Sequence, residues 1–232
     1  RQRPMCIRDS TSTEDSTFEY YKEIEAQNPK VHVVYWDKEF NYSAINNYGA
    51  TFAKGEYILL LNNDTEIINE DCIEELLGYC MRSDVGAVGA RMYYEDDTIQ
   101  HAGVVIGFGG IAGHCFVLQP RGTTGYCHRI ICAQDYSAVT AACMMVKRSA
   151  FEEVGGLTEE LAVAFNDIDF CLKGSRNHKL NVWTSYSEIL YTGENLIPET
   201  GDSEISAFKN EWKEEIVKET YCHPMWEKLG LV

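Results

Sequence analysis

A chain of 232 residues with 45% hydrophobic side chains is long enough for one domain with a substantial core and has no signature of disorder. Acidic residues outnumber basic ones by 36 to 20, giving a formal charge of −16. That balance argues against a nucleic-acid partner, whose phosphates need Lys and Arg, and it makes a bound cation useful wherever an anionic ligand must approach.

Residues 4–7 read as a short strand, followed by the polar loop 9–13 and a helix over 16–26. The next strand covers 31–36, and a helix over 44–53 is expected to close at Gly55 as a left-handed cap. The run Tyr57-Ile58-Leu59-Leu60-Leu61 is continuously apolar, as in a strand buried on both faces. It ends abruptly in Asn62-Asn63-Asp64-Thr65-Glu66. Hard oxygen ligands at the carboxyl end of such a strand suit Mg2+ or Mn2+ bridging to phosphate. The same residues would also serve as a turn, with Asp64 or Thr65 capping a following helix.

A helix over 71–81 and a strand over 85–93 follow, and then a glycine-rich stretch, 103–113, that reads as a hairpin and mobile loop able to close over a ligand. Further strand and helix signals cover 138–146 and 149–154, the latter ending at Gly155-Gly156. In the segment from Ala164 to Lys173, Asn166 is placed to be an N-cap, and Ile168, Cys171 and Leu172 form an inward face at i, i+3 and i+4. Asp167 then sits in the first turn, where the helix dipole favours the ionised carboxylate that a general base requires, and where a charged residue equally serves only to complement the dipole. The tail over 206–218 is helical by pattern. No repeat and no linker divides the chain, so 1–232 is expected to be a single α/β domain in which alternating strands and helices build a mostly parallel sheet.

Nine cysteines include no CxxC pair, and several lie in apolar runs, so they read as reduced and structural. Cys127-His128 with Cys132 lacks the second paired cluster of a metal site. No apolar run approaches the roughly 18 residues of a membrane span and no signal peptide is visible, which favours a cytoplasmic protein. A location at the inner membrane surface stays open through a lipid-linked acceptor.

The segment FNYSAINNYGATFAKGEYILLLNNDTEI, residues 40–67, resembles the family 2 glycosyltransferases, enzymes of GT-A fold that move a sugar from a nucleotide donor to an acceptor. The resemblance continues through His101-Ala102-Gly103-Val104-Val105, Gly109-Gly110-Ile111-Ala112-Gly113-His114, Tyr136 to Cys143, and Phe165 to Leu172. Several ordered blocks are more specific than any single one, and the nearest resemblance is to rhamnosyltransferase-like enzymes of surface-polysaccharide synthesis.

The resemblance implies an inverting, metal-dependent transfer. Asp9 matches the residue that contacts the nucleobase, although its own sequence context, Arg8-Asp9-Ser10-Thr11, equally suits an Asx turn. Asn62, Asn63 and Asp64 stand where the family carries a D-x-D-like motif, so Asp64 would coordinate Mn2+ or Mg2+ and Asn62 would meet ribose or act through water. Asp167 matches the family's catalytic base, with Asn166 where a glutamate often stands, and Asp169 would orient or cap. The implied partners are a nucleotide-sugar and a glycan or lipid-linked acceptor, with peripheral membrane association.

Two positions depart from the family. Its relatives carry a His-His-Glu-Ser-like sequence after the last strand, where this chain reads Tyr191-Thr192-Gly193-Glu194-Asn195, without an imidazole. The family's first strand and helix, under the nucleotide, have no counterpart before Arg1, so an amino-terminally incomplete domain is expected. The alternative from another class is a non-catalytic nucleotide-sugar or glycan-binding remnant. A nucleotidyltransferase is disfavoured because no glycine-rich phosphate loop with a following Lys opens the chain.

Overall fold

The computed structural model describes residues 4–193 and 201–218. Two layers of contrasting strand chemistry organise it. In the first, β1 (Met5–Asp9) pairs in parallel with β2 (Val31–Tyr35), joined by α1 (Asp15–Gln27) and followed by α2 (Tyr42–Phe52). Asn41 caps α2, its side chain accepting the Ala44 amide at 2.9 Å.

The second layer is a seven-stranded sheet. Its central order is β3 (Tyr57–Leu61), β10 (Cys143–Lys147), β5 (Val85–Tyr93), β11 (Leu180–Tyr191) and β4 (Thr65–Ile67), with β6 (Ile99–His101) on β5 and β9 (Gln134–Tyr136) on β11. The α/β layering agrees with the sequence, but the sheet is mixed rather than mostly parallel. Only β5 and β11 run parallel within it; β10 enters between β3 and β5 from the opposite end, so Cys143 faces Leu61 and Val146 faces Ile58. Parallel pairing would have required a further crossover there.

Strand alternation explains why these runs are apolar throughout. Ile58, Leu60, Met144 and Val146 face one core, which also takes Ile168, Cys171 and Leu172 of α5 (Asn166–Arg176). Cys143, Met145, Val88, Ala90 and Met92 face a second core beneath Leu76 and Cys80 of α3 (Cys72–Cys80). Each fully buried aliphatic side chain is worth roughly 1.5–3 kcal/mol of transfer free energy, so both faces contribute to stability.

The glycine-rich stretch forms a hairpin of β7 (Val104–Ile106) and β8 (Ala112–His114). Helices α4 (Arg148–Glu153), α6 (Asp202–Glu211) and α7 (Lys213–Val217) complete the described elements, the last two occupying the expected helical tail. The first half of the strand expected over 138–146 is not strand: Ala138 bridges to Val104, and the chain then turns to present backbone amides. Nor does Gly55 cap α2. The helix closes at Ala53 with extended backbone, and Arg148 satisfies the carbonyls of Ala53 and Gly55 instead. Among the described residues no helix is long and apolar enough to cross a membrane.

Candidate active site

The apolar run of β3 stops where Asn62 donates its amide to Ala142 O at 2.9 Å, one residue past the strand. Thr65 Oγ1 closes the following turn on Asn62 O at 2.6 Å. Thr65 then enters β4, so the helix cap expected at Asp64 or Thr65 is not formed; α3 begins only at Cys72. Asn63 lies exposed at the tip of this turn.

Tyr42, in the first turn of α2, reaches across to this turn. Its hydroxyl lies 3.1 Å from Asn62 Oδ1 and 3.2 Å from Ala141 O. Burial pushes the Tyr42 phenol well above its ordinary range; Asp167 and Asp64 push the same way, while the Arg8 cation opposes them. Because the Ala141 carbonyl meets this phenol while the Ala141 amide meets Asp167, Tyr42 links the turn after β3 to the start of α5. Arg8 itself is packed across Gly49 of α2, where a Cβ would collide with the arginine side chain.

Asp64 faces the end of β11. Its carbonyl accepts the Thr192 amide at 2.9 Å, and its carboxylate hydrogen-bonds the Tyr191 hydroxyl. A Cβ on Gly193 would clash with Asp64 Oδ2 and the Tyr191 ring, so glycine permits this close approach. The other carboxylate oxygen, Asp64 Oδ1, is buried without a partner. Desolvated carboxylate oxygens of this kind are costly unless a donor or cation completes them. Of the segment that departs from the family, Glu194 and Asn195 lie outside the described residues.

Asp167 holds its carboxylate between two backbone amides, Ala141 N to Oδ2 at 3.0 Å and Ile168 N to Oδ1 at 2.8 Å. Asn166 is not the N-cap. Phe165 takes that place in a left-handed conformation (φ 61°), stacked on Phe208 at 4.9 Å, while the buried Asn166 amide donates to Val163 O at 3.2 Å. The asparagine therefore ties the preceding loop down instead of capping the helix. Asp169 is buried and committed to structure: it accepts from Thr158 Oγ1 at 2.6 Å and Trp212 Nε1 at 2.9 Å and pairs with Lys173 at 2.8 Å.

Asp9 makes the Asx turn, Oδ1 accepting the amides of Thr11 at 3.1 Å and Ser12 at 3.0 Å. Its Oδ2 is buried and unpartnered, so the turn leaves half of the carboxylate free. The fold thus gathers Asn62, Asp64 and Asp167 around Tyr42, with Asp9 one residue beyond Arg8. Tyr42, Arg8 and Tyr191 are candidate site residues that sequence reasoning missed. Only the adjacency of Arg8 to Asp9 and of Tyr191 to the departing segment could have pointed to them.

The family model for glycosyl transferase family 2 matches residues 4–155, from β1 to the end of α4. Asp167 lies outside that match. The chain is 46% identical over 188 residues to the uncharacterized protein y4gI of Sinorhizobium fredii and 35% identical over 189 residues to the O-antigen biosynthesis protein RfbC of Myxococcus xanthus. Each alignment covers 81% of this chain but only 21% and 15% of those proteins, so the chain spans about a fifth or less of its curated relatives. Among solved structures, GalNAc-T7 with UDP, GalNAc and Mn2+ superimposes with a TM-score of 0.67 over 90% of this chain and 41% of its own, at 14% identity. The mannosyltransferase PcManGT of Pyrobaculum calidifontis, in complex with GDP-Man and Mn2+, gives 0.58 over 96% of this chain and 57% of its own, also at 14% identity. These likenesses establish a shared GT-A fold, and with the match over residues 4–155 they place the chain in glycosyl transferase family 2.

Proposed function

We propose that this domain catalyses inverting transfer of a sugar from a nucleotide-sugar to a glycan or lipid-linked acceptor in surface-polysaccharide synthesis. One observation carries the reading: the Tyr42 hydroxyl ties together the two carboxylates' segments, bonding Asn62, two residues before Asp64 with its buried unpartnered oxygen, and the carbonyl of Ala141, whose amide holds Asp167. The relationship to the O-antigen biosynthesis protein supports the pathway class.

The roles follow from chemistry. Asp167 accepts the proton of the acceptor hydroxyl as its oxygen bonds to the anomeric carbon and the bond to the diphosphate oxygen breaks. Its two amide bonds hold the carboxylate in place beforehand. Asp64 fits a divalent cation, Mn2+ or Mg2+, because Oδ1 is a desolvated hard oxygen awaiting a partner; a bound cation would neutralise charge on the departing diphosphate. Among the described residues no cluster of three or more His, Cys, Asp or Glu surrounds it, so the diphosphate and water would supply the remaining ligands. Arg8 adds a fixed positive charge on the same side, and Asp9 Oδ2 is free to accept from a nucleobase N–H. Asn62, held by Tyr42, and the exposed Asn63 face the ribose side of the donor. A lipid-linked acceptor would bring the domain to a membrane surface peripherally.

The decisive experiment adds Mn2+ with UDP or GDP and measures thermal unfolding, since ligands that bind only the folded state raise its stability by mass action. A shift that survives Asp64→Ala removes Asp64 from the site. With a donor in hand, Asp167→Asn should cut transfer by about 100-fold or more and leave nucleotide affinity unchanged. Nucleotide binding without turnover for any donor would assign the chain to the non-catalytic class.

A further inference from the structure

Two histidines thirteen residues apart meet at the end of the β7–β8 hairpin. His101, at the end of β6, is completely buried, and its Nδ1 lies 3.0 Å from Nδ1 of the partly covered His114, with ring centroids 4.9 Å apart and planes inclined by 76°. A contact between two Nδ1 atoms at that distance holds one hydrogen. One ring donates and the other accepts, so the two tautomers are coupled.

The direction of the bond follows from the far side of His101. Its Nε2 is buried with no partner. Were His101 the acceptor, its single hydrogen would sit on that nitrogen and leave an N–H unpaired in the interior; with His101 as donor, only a lone pair is left over. Orphaned buried N–H groups are the rarer and costlier defect, so His101 carries Nδ1–H and His114 accepts at Nδ1. The hydrogen of His114 must then be on Nε2. Burial opposes protonation of either ring and outweighs the Asp167 field that favours it at His114, and a charge on His114 would oppose one on His101, so the arrangement is neutral.

Asp167 is close enough for its negative field to act on His114. The two belong to one frame. Val104 and Ala138 exchange backbone hydrogen bonds at 2.9 and 3.1 Å, Ile106 donates to Ser137 Oγ at 3.2 Å, and three residues beyond Ala138 the Ala141 amide grips Asp167. Val104 is also the register partner of His114. The hairpin, the amide and the carboxylate are therefore fixed relative to one another.

We propose that His101 and His114 form a tautomer-locked pair that presents the His114 Nε2–H as a hydrogen-bond donor to the acceptor sugar beside Asp167. This rests on the reading of Asp167 as the base. A sugar carries neighbouring hydroxyls, so one can surrender its proton to Asp167 while the next accepts from His114. A neutral imidazole donor suits this task because it offers no second site for the proton being transferred. The negative field of Asp167 disfavours an anionic group there, which points to an uncharged polyhydroxy ligand over a phosphate. His114 is a positioning residue for that ligand.

Selective 15N labelling of histidine in the full chain tests the first half, because protonated and unprotonated ring nitrogens resonate far apart. His101 is expected as the Nδ1–H form and His114 as the Nε2–H form, and the reverse assignment overturns the proposal. The second half uses methyl glycosides of common hexoses as probes. At least one should move the His114 Nε2–H resonance, with affinity falling roughly ten-fold or more in His114→Leu and partly restored in His114→Gln, whose amide keeps a donor. No movement with any probe, or equal affinity in His114→Leu, overturns it. If Asp167→Asn keeps its turnover while the tautomers and sugar shifts stand, the base assignment has failed and the histidine pair has not.

Discussion

The hydroxyl of Tyr42 stands 3.1 Å from Asn62 Oδ1, joining the first turn of α2 to the turn that follows β3. This contact ties helix α2 to the edge of the large mixed sheet.

Tyr42→Phe should therefore loosen the site more than the fold. It removes a hydroxyl shared between Asn62 and Ala141 O, with a stability cost of about 1 kcal/mol. Weaker binding of UDP or GDP with Mn2+ by calorimetry, at nearly unchanged Tm, is the expected outcome. A large loss of Tm with normal nucleotide binding would make the contact purely structural.

Asp169 and Asp167 should separate cleanly on substitution, although two residues apart. Asp169→Ala strips partners from the buried Trp212 indole and from Thr158 and takes the carboxylate away from Lys173, which keeps its contact with Thr158, at a cost of about 2–4 kcal/mol. Asp167→Asn keeps the shape but offers one acceptor to two amides, so it should cost about 1 kcal/mol and shift denaturant midpoints less than Asp169→Ala. Comparable losses in the two variants would contradict this division.

Gly103→Ala is expected to destabilise by more than about 2 kcal/mol. The residue has φ +98°, and a Cβ there would drive into the ring of the buried Tyr136. Urea unfolding measures it. A neutral result would mean that the Tyr136 ring has room to move.

Stability should fall with acidification before carboxylates matter. Both His101 and His114 have folded pKa values below the ordinary 6.5 because of burial, so the unfolded chain binds more protons under that pH. Their contribution is complete above pH about 6.5 and is lost below it, at up to about 1.4 kcal/mol per pH unit for each ring. Glu188 and Asp96, whose pKa values are lowered, act in the same direction but only under about pH 4.5. A flat stability profile from pH 6.5 to 5 would refute the neutral pair, and His114→Gln should reduce the slope while leaving the share of the buried His101.

Thiol reactivity should divide sharply at pH 8. Cys127 and Cys132 are exposed, while Cys72, Cys143 and Cys171 are buried with thiol pKa values pushed up, and burial raises Cys80 to about 12. Iodoacetamide followed by peptide mapping should find the first two modified at least ten-fold faster. Rapid labelling of Cys143 would contradict the buried sheet.

The elements that were legible in the sequence are those whose periodicity is enforced by burial on two sides. β3 and α5 were read within a residue or so of their ends because every position of the first, and the i, i+3, i+4 face of the second, meets a core. β4, β6 and β9, at three residues each, are too short to show a period, and their pairing depends on partners far along the chain. The same limit hid the site's cross-links. Asp64 stood out as a carboxylate at a strand end, but nothing local to Tyr42 or Tyr191 reveals that their hydroxyls turn toward Asn62 and Asp64. The Gly55 cap was misjudged because an arginine 93 residues away supplies what glycine would have arranged.

Strand β11 slips register against β5 between Thr184 and Glu188. Ahead of the slip it pairs with β9; beyond it, Ile189 to Tyr191 pair with β4 and deliver a tyrosine to the Asp64 carboxylate. Since neighbouring side chains on a strand point to opposite faces, losing or gaining a single residue among Ser185, Tyr186 and Ser187 would turn Tyr191 away from that carboxylate while leaving the first half of the strand intact. Relatives of this domain should therefore tolerate substitution in those three positions far more readily than any change in their number.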